Sequence, residues 1–185
     1  IAMFYFILPS SFSTRFGILF LFALGLYAIY LTSNIYSVAK GRTIQLLYAA
    51  HAVGLFFTLL TSLLIVNTIF SLKLPFWING LLVFITHYPL IFMSNWSIKL
   101  EQKVDQESVF YSLMLSCLVT QLAILLSFLP MAVWHVSLLI MGFLYISLGI
   151  LHSYLRGRLF RNTANEYSFV AALLLVLFLV LFPLK

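Results

Sequence analysis

Four histidines, His51, His87, His135 and His152, are the residues of this sequence best suited to chemistry, because each interrupts or borders a long apolar run. Two imidazoles facing one another from neighbouring helices are what bis-histidine haem ligation requires. A single one serves as a hydrogen-bond partner for a quinone. The simpler use of such a side chain is to bond a backbone carbonyl, or to reach a Ser or Thr on the next helix. Around the first two histidines lie Thr58, Thr61 and Ser62 on one side, and Asn79, Thr86 and Ser94 on the other. These form polar stripes that line a small pathway if they meet, or that hold two helices together.

Other chemistries lack their residues. The acids Glu101, Asp105, Glu107 and Glu166 all stand in polar breaks or at a run's end, so no carboxylate sits at mid-membrane depth. An intramembrane aspartyl protease, a carboxylate proton relay and a paired-Asp metal site each need one there. The chain has neither a His-Glu-x-x-His zinc motif nor a Gly-x-Ser-x-Gly elbow. His152 beside Ser153 is not a catalytic spacing. Glu101 and Asp105 share a helical face, but Lys99 and Lys103 are interleaved with them, as in a solvated loop. No catalytic residue and no metal site is assigned.

The elements that position these residues follow from composition. Of 185 residues 64% are hydrophobic and 8% charged, whereas a soluble domain carries roughly a quarter charged residues. At about 20 residues for each crossing, the chain is expected to be all-α, a single transmembrane helix bundle over residues 1–185. Six full spans are expected, at about 16–33, 44–70, 76–96, 109–129, 131–154 and 167–182, with a partial seventh at 1–8. Pro89 lies inside the third span, where it removes a backbone donor and predicts a kink. Pro130 makes a tight hairpin of the fourth and fifth spans, which are expected to pack through the small residues Ser112, Ser116 and Thr120 against His135, Gly142 and Gly149. Cys117, the only cysteine, is read as a small buried hydrophobe. The sixth span has few polar side chains and is expected to face lipid.

Within this frame His51 lies about 10 Å into the second span from its start, and His87 lies about nine residues from the end of the third, at similar depth. The net charge of +6 is therefore a matter of topology and lipid headgroups rather than nucleic acid. Lys40, Arg42, Lys99, Lys103, Arg156, Arg158 and Arg161 fall on one side, and Arg15, Lys73 and Lys185 on the other. Loops 34–43, 97–108 and 155–165 are accordingly expected in the cytoplasm and the C-terminus outside.

The stretch Arg42 to Leu60, RTIQLLYAAHAVGLFFTLL, with LPFWINGLLVF at Leu74 to Phe84, resembles uncharacterised multi-pass membrane proteins from bacteria. That resemblance implies a membrane fold but no substrate and no site. The leading expectation is a non-enzymatic membrane protein without a cofactor, a scaffold or accessory subunit whose partners are membrane lipids and another membrane protein. The alternatives are a small transporter or channel using Thr58, Thr61, Asn79 and Thr86, and a haem or quinone protein using His51 and His87.

Overall fold

A backbone in hydrocarbon has no water to bond, so each apolar run must satisfy its own amides and carbonyls, and the α-helix does this within one segment. A computed structural model describes residues 12–39, 46–100, 106–157 and 161–181. Among these residues every regular element is an α-helix: α1 (Phe12–Ala39), α2 (Leu46–Ser71), α3 (Phe76–Lys99), α4 (Gln106–Ser127), α5 (Val133–Leu155) and α6 (Arg161–Leu181). Five of them are long and apolar enough to cross a membrane, and α6 adds a shorter apolar stretch, Ala164–Val180. The expected partial span at 1–8 and most of the expected loop charges lie outside the described residues.

The helices overrun the apolar runs that announce them. The first reaches Ala39 and the sixth begins at Arg161, six residues before the expected start at Tyr167. Asn162, Thr163 and Asn165 do not stop a helix. The α2–α3 turn is short, with Lys73 at φ 51° and Pro75, at φ −60°, preset to begin α3. Asn79 donates from Nδ2 to the Leu74 carbonyl at 3.2 Å, which satisfies a turn group with no helical partner. Pro89 lies within an uninterrupted helix. Leu100, left-handed at φ 50°, closes α3 by donating its N–H to the Trp96 carbonyl.

The chain divides into two compact units, 1–57 and 58–185, with the boundary inside α2. In the first unit Thr32 is buried on α1, alone among that helix's described side chains, and Tyr36 reaches from α1 to donate its hydroxyl to the Ala50 carbonyl at 3.0 Å. Gly54 lets this happen, because a Cβ there would lie 2.8 Å from the Tyr36 hydroxyl oxygen.

In the second unit α3 and α4 form the tightest pair. Val83, Ile91, Val119 and Ala123 are fully buried there, with Ile140, Leu144 and Leu148 from α5. The small residues of α4 do not turn toward α5 as expected. Ser112 meets Asn95 of α3 at 2.9 Å, and Thr120 lies with Ile124 against Gly80 of α3. On α5, Gly142 and Gly149 face Leu174 and Tyr167 of α6 instead. The expected hairpin interface is thus two interfaces, each with its own partner. Cys117 is exposed rather than buried, because it follows Ser116 and so points away from the face that α4 lays on α3.

A Cβ at Gly80 would sit 2.8 Å from Ile124 Cγ1, closer than packed carbons approach. Gly80→Leu is expected to destabilise the second unit by about 1–3 kcal/mol, read as a lowered Tm in detergent, and Ile124→Ala in the same chain is expected to recover part of the loss.

Candidate functional site

Asn79, the pair Thr86 and His87, and the pair Ser94 and Asn95 recur along α3 at intervals of seven or eight residues, about two helical turns. Asn79, His87, Ser94 and Asn95 are all buried, His87 and Asn95 completely. A polar group in that position costs free energy unless it is bonded.

Each polar level of α3 reaches a neighbouring helix. At mid-helix, His87 Nε2 lies 2.9 Å from the Ser62 hydroxyl of α2, and Nδ1 lies 3.0 Å from the Val83 carbonyl. A carbonyl only accepts, so Nδ1 carries the proton, Nε2 is the acceptor, and the Ser62 hydroxyl donates to it. Near the start of α3, Asn79 Nδ2 approaches the Ser127 hydroxyl of α4 at 3.4 Å. Toward its end, Ser94 Oγ meets His152 Nε2 of α5 at 3.3 Å, and Asn95 Nδ2 donates to the Ser112 hydroxyl of α4. That hydroxyl donates in turn to the Ser108 carbonyl at 2.6 Å. Asn79 Oδ1, Asn95 Oδ1 and Ser108 Oγ are buried and have no hydrogen-bond partner among the described residues.

The two histidines considered for haem or quinone lie in different units. His51 belongs to the first unit, where its ring packs on Tyr36 with centroids 5.4 Å apart. His87 belongs to the second and has both ring nitrogens within hydrogen-bond distance of protein atoms. Of the expected polar stripe, Thr86 bonds its own helix, donating to the Leu82 carbonyl at 2.8 Å, and Asn79 turns to the α2–α3 turn and α4. Thr58 and Thr61 are half-buried on α2.

Two hydroxyl–imidazole pairs arise that spacing along the chain does not disclose, Ser62 with His87 and Ser94 with His152. Their members are separated by 25 and 58 residues. Sequence reading placed His152 beside Ser153, whose hydroxyl instead donates to the Gly149 carbonyl. Such pairs have the composition of a nucleophile and base, yet Ser62 and His87 are wholly buried and Ser94 and His152 nearly so, which leaves a substrate no approach. No group of three His, Cys, Asp or Glu placed to hold a metal ion occurs among the described residues.

The chain belongs to a family described as "Protein of unknown function (DUF5656)", whose model matches residues 61–181. The match takes in Ser62 and the whole polar series of α3, and begins after His51 and Thr58. No curated protein and no solved structure matches the chain.

The Ser62–His87 bond has a direct check. A double-mutant cycle with Ser62→Ala and His87→Phe, followed by unfolding in mixed micelles, is expected to give a coupling of about 0.6 kcal/mol and at most about 1.7 kcal/mol, the average and the upper end for interhelical hydrogen bonds in membranes. Additive effects would mean that the two side chains do not bond.

Proposed function

We propose that this member of a family of unknown function is a non-enzymatic integral membrane protein, a scaffold or accessory subunit that packs against another membrane chain. The observation that carries this reading is the use to which α3 puts its polar groups. A transport pathway needs polar side chains turned toward a cavity, and a haem ligand needs an imidazole nitrogen with a free lone pair. Here Asn79, Ser94 and Asn95 are directed at neighbouring helices, and His87 has hydrogen-bond partners at both nitrogens.

The outer surface points the same way. Large apolar side chains cover α1 and α6, with Phe16 66% and Val180 75% exposed, and recognition on such faces takes place within the bilayer. A transport role for Thr58, Thr61, Asn79 and Thr86 requires the α3 side chains to leave their bonds. Haem or quinone binding by His51 and His87 requires His87 to give up Ser62.

Native mass spectrometry of the chain, extracted gently from its own membrane, tests this. The expected result is a stoichiometric complex with a second membrane protein. A bare chain carrying a small-molecule mass would transfer the assignment to the histidines.

The resemblance to bacterial multi-pass proteins and the excess of basic residues around 40–42, 99–103 and 156–161 together support a bacterial membrane with those segments in the cytoplasm. A reporter fused after Lys185 is expected to read out an extracytoplasmic C-terminus. A cytoplasmic signal would mean that one of the six helices does not cross.

A further inference from the structure

We propose that α1 is a releasable strap, latched onto the first half of α2 by the hydroxyl of Tyr36, which swings away from α2 when that bond opens. Of the most apolar stretch of α1 6% is buried, against 28–39% in α2 to α5. A helix loses little by such exposure in a bilayer, since lipid tails replace a neighbouring helix as apolar contact. Its hold on a partner helix has to come from close packing and hydrogen bonds, and α1 gathers both around Tyr36.

The latch has a fitted seat. A Cβ at Gly54 would stand 2.8 Å from the Tyr36 hydroxyl oxygen and 4.0 Å from Thr32 Cγ2, and the Tyr36 ring lies on that of His51 with centroids 5.4 Å apart. Farther along α1 the hold is looser, because a Cβ at Gly25 would meet Phe57 at 3.4 Å, an ordinary contact.

The open state is within reach because both ends of the bond have a second partner. In a continuous α-helix the Ala50 carbonyl already accepts the Gly54 N–H, so Tyr36 adds a second donor to a group that is satisfied without it. Tyr36 stands three residues before the end of α1, beside exposed Asn34, Ser37 and Val38. A hydroxyl released there meets the headgroup level, where tyrosine is commonly found. Opening the latch thus orphans no buried polar group and costs one modest bond. Strap and seat both precede residues 61–181, the stretch that the family model covers. The device does not depend on the chain having a protein partner.

The test is a spin-label distance measurement on the full chain in lipid nanodiscs. The labels are carried by Ile29→Cys on α1 and Phe56→Cys on α2, both at exposed positions, in a chain with exposed Cys117 replaced by Cys117→Ala. Labelled chains are diluted in unlabelled ones, so that distances within one chain are read. The expected result is two populations, a major one with the labels close and a minor one with them apart. Tyr36→Phe is expected to raise the separated fraction roughly three-fold, the worth of an average interhelical hydrogen bond in a bilayer. Gly54→Ala, which favours the helix, is expected to raise it as well, because its Cβ takes the place of the hydroxyl. Added to Tyr36→Phe it is expected to raise it no further, since phenylalanine leaves that place empty. A single population in the unaltered chain, or a separated fraction that Tyr36→Phe leaves unchanged, would overturn the proposal. So would additive effects of the two substitutions, which would mean that the helices loosen without a latch.

Discussion

A buried polar side chain in a bilayer has to find its partner in protein, and α3 brings four such side chains into the second unit: Asn79, His87, Ser94 and Asn95. Apolar packing between membrane helices is weakly directional, because lipid tails are as good a neighbour for leucine as another leucine is. The bonds from α3 are directional. Ser62 sets α2 at the level of His87, Ser112 and Ser127 set α4 at two heights, and His152 sets α5. Rotating α3 by a quarter turn, or sliding it by one residue, would leave several of these groups without partners at once. The register of three helices against α3 therefore rests on four side chains whose individual bonds are modest.

Most other hydroxyls among the described residues carry no such information. Thr32, Ser37, Thr68, Ser71, Thr86, Ser112, Ser116, Thr120, Ser127, Ser137 and Ser153 all donate to the carbonyl four residues earlier. A Ser or Thr that closes this local bond is satisfied wherever it stands in a spanning helix. Asn and His have more donors and acceptors than their own helix can satisfy, and they therefore reach outward. Ser112 and Ser127 do both, donating backward and accepting from Asn95 and Asn79, and so they join the network while Ser116 does not.

This difference explains what could be read from the sequence. Helix number and approximate extent follow from apolar length, and all six described helices stand where long runs announce them. Helix ends follow less well, since α6 starts among Asn162, Thr163 and Asn165, where polarity marks the edge of the hydrocarbon and not the end of the helix. Partner choice was legible only in kind. That His87 would bond a carbonyl or a hydroxyl across the helix gap follows from its two nitrogens, whereas Ser62 among several candidates on α2 depends on the rotation of two helices. The small-residue face of α4 was visible at 112, 116 and 120, but a pattern that permits close approach does not name the helix that approaches. With α4 turned to α3, Cys117 faces outward.

The glycines carry the argument to the outer surface. Among the described helical glycines, Gly54, Gly80, Gly142 and Gly149 each have a side chain seated where a Cβ would stand, Tyr36, Ile124, Leu174 and Tyr167 respectively, and Gly25 is in ordinary contact with Phe57. These close approaches are consumed within the chain. Gly17, in the second turn of α1, has nothing within 4 Å of that position, beside the exposed large apolar side chains of Phe16, Leu19 and Phe20. Since apolar surface alone does not draw helices together in lipid, membrane helices recognise one another by close packing or by hydrogen bonds. The polar groups of α3 already face inward, and Gly17 is the described helical glycine that still offers backbone to a neighbour.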